Sequence, residues 1–150
     1  MPKVHHSAIG TLDVEASLAF WRDGLGFSVL MDREFKGDWP SLFGGSATSL
    51  RSVFLGDAGT PESGVVELVE MAPLLGPSHP GDPAVGFFLL SLFADLDSVL
   101  PRLASLGLGG TPRLIAVGGV RLAVVHDPNG VRVELMDNPA RANLAPSTSE

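Results

Sequence analysis

Hydrophobic and polar positions change period several times along the chain, and each change marks an element. Alternation over residues 3–10 predicts a strand with Val4, His6 and Ala8 on one face and His5, Ser7 and Ile9 on the other. The spacing then becomes helical. Val14, Leu18, Trp21 and Leu25 form one apolar stripe, which predicts a helix over about 14–23 with Asp13 as N-cap and Gly24 and Gly26 as punctuation. Strands are expected near 27–32, 47–55 and 64–70. The pattern then restarts, with a strand at 86–93, a helix after Asp95, and strands near 112–117, 120–126 and 131–136. Pro101 lies inside the second helical pattern, where a missing backbone donor predicts a shorter or bent helix.

This restart is a repeat. The run from His6 through Asp13 and Leu18 to Leu25-Gly26-Phe27 has a counterpart from Phe88 through Asp95 and Leu100 to Leu106-Gly107-Leu108. The halves also close alike, on Val66-Glu67-Leu68 and Val133-Glu134-Leu135. Two copies of a strand–helix–three-strand unit account for both observations and give an α+β chain. Module one covers about 3–72, a proline-bearing linker 73–84, module two about 85–137, and a small polar tail 138–150. Residues 33–46 read as a long loop with Gly37, Pro40, Gly44-Gly45, Trp39 and Phe43, a length that suits a lid.

Composition narrows the function. The 150 residues are 45% hydrophobic and 18% charged, as expected of a folded domain. Ten basic against 17 acidic residues leave a net charge of -7 and no basic stripe, which argues against a nucleic-acid partner. The absence of cysteine excludes disulfides, thiolate metal sites and cysteine nucleophiles. The first residues lack the apolar core of a signal peptide, and the run 85–93 falls well short of the roughly 20 residues a membrane helix needs. A cytoplasmic protein acting on a small molecule, away from membranes, is the expectation.

Strand parity supplies candidate chemistry. Val66, Leu68, Val133 and Leu135 suit the helix-covered faces, so Glu67 and Glu134 point to the opposite, inner faces. A carboxylate between valines is costly to bury without a partner, and two in repeat-related places suggest a shared purpose. Together with His6 they form a nitrogen and oxygen donor set suited to zinc, nickel, manganese, cobalt or iron. Alternatively, each glutamate sits at a solvated edge or pairs with Arg51, Arg121 or Arg132. Arg51 is a candidate clasp for a substrate carboxylate or phosphate, or else half of a surface ion pair. His5 and His126 read as packing or surface residues, and His79 as having no role. Val4, Val69, Phe88, Leu90 and Val125 are the expected pocket wall.

The segments His6-Ser7-Ala8-Ile9, Asp13 to Phe27 and His126-Asp127-Pro128-Asn129-Gly130 to Leu135 resemble the vicinal oxygen chelate superfamily. That group includes glyoxalase I, methylmalonyl-CoA epimerase, extradiol dioxygenases, and fosfomycin and bleomycin resistance proteins. The resemblance covers about residues 3–137. It implies two tandem βαβββ modules whose mixed sheets curl into a cup with the helices outside. It also implies a divalent metal on His6, Glu67 and Glu134. Phe88 then takes the remaining ligand place, seven residues before Asp95 as His6 is before Asp13. Phenylalanine cannot ligate, which counts against an extradiol dioxygenase. Three functions follow: a metal-dependent lyase or isomerase working through an enediolate-like intermediate, a metal-free acid–base enzyme, or a drug-sequestering binder. Trp39, Phe43 and Phe88 would supply an apolar stacking surface for any of them. A homodimer is implied, with modules paired within one chain or across two.

Overall fold

In strand β1 (His6–Thr11) alternation works as expected. Ile9 and Thr11 are buried, while His6, Ala8 and Gly10 are exposed on the other face. The computed structural model describes residues 4–61, 64–74, 87–117 and 119–137. Most of the expected linker, the tail and His79 therefore lie outside the described residues.

Asp13 caps helix α1 (Val14–Leu18), its carboxylate accepting from Ala16 N at 3.0 Å. The helix widens into a π-type turn over Ala19–Gly24, where Leu25 N donates to Phe20 O at 2.9 Å. Phe20 and Trp21 are both fully buried there. Strand β2 (Ser28–Lys36) runs further than its pattern suggests. The expected loop then folds into a short helix α2 (Trp39–Phe43), capped by Asp38 and closed by Gly44 at φ 80°. Strands β3 (Ser49–Gly56) and β4 (Val65–Glu70) complete the first module.

The second module repeats the plan. Strand β5 (Leu90–Phe93) leads to helix α3 (Leu96–Ser105) and strands β6 (Gly109–Val117), β7 (Val120–His126) and β8 (Arg132–Asp137). Helix α3 runs through Pro101 without breaking. Burial of the stripe Leu96, Val99 and Leu103 offsets the lost donor. Two mixed four-stranded sheets result, ordered β1-β4-β3-β2 and β5-β8-β7-β6, with the first strand of each parallel to the fourth. In each sheet that first strand is an edge.

One core serves both modules. Val53, Leu55, Val66 and Leu68 of the first sheet join Ala123, Val125, Val133 and Leu135 of the second, with the helices between. Val125 and Leu90, expected on the pocket wall, belong instead to this core or pack against it, because Val125 and Leu90 both pair with Val133 and share its face. Polar contacts fix the docking. Trp21 Nε1 donates to the Asp127 carboxylate at 3.2 Å, Asn129 Nδ2 to Ser17 Oγ at 3.0 Å, and Arg102 Nε to Gly24 O at 2.7 Å. Gly24 permits close approach, since a Cβ there would stand 2.5 Å from Leu103 Cδ2.

Asp127 also accepts from the amides of Asn129 and Val131, both at 2.8 Å. Asp127→Ala strands these part-buried amides and the buried Trp21 indole, so urea denaturation should show a loss of about 3 kcal/mol.

Candidate active site

The inner face of the first sheet is set by register. His6 pairs with Val65, Ala8 with Glu67 and Gly10 with Val69, while across β3 Phe54 pairs with Glu67 and Ser52 with Val69. Strand alternation therefore gathers His6, Glu67, Ser52 and Phe54 on the side away from the core. His6 Nε2 lies 3.0 Å from Glu67 Oε2, and Ser52 Oγ donates to Glu67 Oε1 at 2.6 Å. Both carboxylate oxygens are thus engaged, which answers the cost of placing the group between valines. The Glu67 side chain is only 15% exposed.

These groups open into a cavity of about 500 Å³. Its walls are apolar: Met31 and Phe35 from β2, Trp39 and Phe43 from α2, with Phe54 and Met71 beneath. Trp39 stacks on Phe43 at 5.9 Å and donates through Nε1 to Phe35 O at 3.1 Å. Two of the three aromatics expected at the site, Trp39 and Phe43, line this cavity, carried by a helix where the sequence suggested a loop. Ser52, Phe54, Met31 and Phe35 were not anticipated. The alternation Leu50-Ser52-Phe54 beside Glu67 was the available signal.

Residues 3–135 match the Glyoxalase/Bleomycin resistance protein/Dioxygenase superfamily. The chain belongs to that superfamily. The Aspergillus terreus "lactoylglutathione lyase-like protein terB" is 35% identical over 148 residues, covering 91% of this chain and 75% of that protein. Glyoxalase I of Leishmania major, described as trypanothione-dependent, superposes with a TM-score of 0.67 at 20% identity, covering 95% of this chain and 91% of its own. A glyoxalase family protein from Bacillus cereus reaches 0.73 at 16% identity, over 91% and 94% of the two chains. At these identities the structural likenesses establish the fold. A fosfomycin resistance protein from Listeria monocytogenes, with a TM-score of 0.60 at 13% identity over 97% and 99% of the two chains, is described in complex with Mn(II).

The chain brings two of its three expected ligands together. Glu134 lies on the second sheet, where Ser91 Oγ donates to its carboxylate at 2.9 Å. Among the described residues no third His, Asp or Glu joins His6 and Glu67 in a metal-holding group. The cavity is lined by the first module. Register also corrects the repeat alignment. Ala8 pairs with Glu67 as Ser91 pairs with Glu134, so the place of His6 falls on Leu89 and not on Phe88. The connection to the capping aspartate is one residue shorter in the second module, which is why counting back from Asp95 misplaced it. Leucine is equally unable to ligate. Phe88 is half exposed beneath the Arg132 guanidinium, 4.9 Å from its ring centroid, and does not line the cavity.

Arg51 is turned to the opposite face of β3. It donates to both Asp32 oxygens, at 2.9 and 2.8 Å, and to Glu15 Oε1 at 3.2 Å. These hydrogen bonds hold the Asp32 carboxyl below its ordinary range against a smaller opposing effect of burial, and raise the Arg51 guanidinium. A lowered carboxyl pKa stabilises the fold above the unfolded value and loses that effect as pH falls through the folded one. Arg51→Gln should therefore cost about 0.5 kcal/mol at neutral pH. In urea melts the difference should shrink as pH falls below about 4. For the cavity, a fluorescent dye with an apolar aromatic body, such as anilinonaphthalene sulfonate, should bind wild type and bind Trp39→Ala about tenfold more weakly. Near-UV circular dichroism from buried Trp21 should be unchanged by that substitution.

Proposed function

We propose that this protein is a divalent-metal-dependent lyase or isomerase of glyoxalase type, acting on a small apolar carbonyl-containing or acyl-type metabolite. The observation that carries this reading is the His6–Glu67 pair, an imidazole nitrogen and a carboxylate oxygen 3.0 Å apart at the floor of an apolar cavity. That donor set fits a borderline cation such as zinc, nickel, manganese, cobalt or iron. Such a cation, when bound, supplies Lewis-acid polarisation of the substrate carbonyl.

The chain's own groups do the rest. Met31, Phe35, Trp39 and Phe43 hold the apolar body of the substrate and exclude water. A glutamate takes the proton from the carbon beside the carbonyl, leaving an enediolate-like species, and returns it to the neighbouring carbon, so that atoms balance. Glu134 suits this role. Ser91 donates to one of its oxygens, whereas Glu67 is held from both sides by His6 and Ser52.

Because one chain keeps Glu134 apart from the other two, the working unit is a homodimer in which the second sheet of one copy faces the first sheet of its partner. The edge positions of β1 and β5 and the exposed Phe88 and Phe93 support that arrangement. A sequestering protein is the second reading, favoured by the stacked Trp39–Phe43 pair in an almost wholly apolar wall. In that case ligand should leave unchanged.

Three measurements check this. Protein purified without added metal should carry a stoichiometric transition metal that His6→Ala loses. Proton exchange into α-hydroxy carbonyl or acyl thioester compounds should fall about 10²- to 10⁴-fold in Glu134→Gln. Mixing His6→Ala with Glu134→Gln subunits should restore up to about a quarter of wild-type activity, through the one intact site of each mixed dimer. No restoration would place the site within one chain.

A further inference from the structure

Both nitrogens of the His6 ring face a polar partner, and together these contacts constrain its protons. Nε2 faces Glu67 Oε2 at 3.0 Å, and Nδ1 faces Nδ1 of His5 at 2.8 Å. Glu67 receives the Ser52 hydroxyl on its other oxygen, so both oxygens act as acceptors and Nε2 of His6 must carry a hydrogen. In a neutral His6 the remaining nitrogen is then a bare acceptor, and the proton between the two rings belongs to His5. The chain reads His5 Nδ1–H to His6, His6 Nε2–H to Glu67, with Ser52 O–H closing the far end. Phe54 packs against both imidazoles, its centroid 5.8 Å from His5 and 5.4 Å from His6, and holds the rings at this separation.

We propose that His5 is a positioning residue for the metal site, fixing the ring orientation of His6. The inference rests on the reading of His6 and Glu67 as ligands. A cation on Nε2 needs the lone pair of that nitrogen, so His6 must then carry its hydrogen on Nδ1. The contact with His5 survives only if His5 changes from donor to acceptor. Imidazole does this by moving its own hydrogen to Nε2, which a side chain with a donor alone cannot do. Outer partners of this kind commonly change metal affinity by 10- to 100-fold. Strand parity gave no sign of this role, because His5 belongs to the face opposite His6; its ring reaches His6 around the strand.

Nitrogen-15 spectra of the histidines at mildly alkaline pH give a readout that needs no metal. In metal-free wild type, His6 should appear as a single Nε2–H tautomer and His5 as Nδ1–H. His5→Phe keeps a ring against Phe54 and removes the hydrogen bond to His6 Nδ1; Glu67 should keep His6 in its Nε2–H form, while the Nδ1 resonance shifts to that of a nitrogen that has lost its donor. Manganese or nickel titrated calorimetrically should bind His5→Phe about 10- to 100-fold more weakly than wild type. His5→Asn, whose amide can both donate and accept, should recover most of that loss. An unchanged His6 Nδ1 resonance in His5→Phe, or equal affinities in a wild type that binds metal, would overturn the role of His5. A wild type that binds neither metal overturns the metal reading itself, and the Nδ1 comparison still decides whether His5 orients His6.

Discussion

The buried contact between Trp21 and Asp127 is the constraint on which the arrangement of the molecule depends. An indole N–H at the centre of the core needs an acceptor, and a carboxylate buried to 5% exposure needs several donors. Each solves the other's problem, with the amides of Asn129 and Val131 supplying the remainder. Because the indole belongs to the first module and the carboxylate to a turn of the second, this exchange docks the modules helix side to helix side. The inner face of each sheet is then the face left over, and the cavity is closed by one module alone.

The repeat is more faithful in its electrostatics than in its site. Arg51 on β3 and Arg121 on β7 occupy matching places, opposite Glu70 and Asp137 respectively. Each reaches an acid in the first turn of its module's helix, Glu15 or Asp97, and Arg121 also pairs with Asp137. Glu70 in turn accepts from Val14 N at 2.9 Å, as Asp137 does from Leu96 N at 3.4 Å. The same device thus ties the helix start to the sheet twice. The serines that hold the two glutamates do not match: Ser52 comes from β3 and Ser91 from β5. Scaffold positions have kept their pairing while the inner faces have diverged, as expected if only the latter meet ligand.

Much of this was legible in the sequence because its causes are local. Asp13 and Asp95 cap their helices where the spacing placed them, and the alternation around Glu67 and Glu134 assigned their faces correctly. Local pattern failed where a second strand decides the outcome. Val125 reads as inner wall until its pairing with Val133 is known, and Phe88 reads as the partner of His6 until the register shows a connection shortened by one residue. Helix α2 was hidden because its cap, Asp38, and its closing Gly44 sit in a glycine- and proline-rich stretch that resembles loop. The separation of Glu134 from His6 is a property of module docking, and no periodicity along one chain encodes it.

Helix α2 has none of its five residues in the core, yet Trp39 and Phe43 form a wall of the cavity. Its ends lie at Gly37 and at Gly44-Gly45, where backbone adjustments are cheap. The helix that walls the cavity is therefore nearly decoupled from the part that keeps the protein folded. Substitutions along this segment alter shape and stacking at little risk to solubility or expression. Selection, natural or in the laboratory, could retarget the chain toward new molecules through these five codons while the docked modules stay untouched.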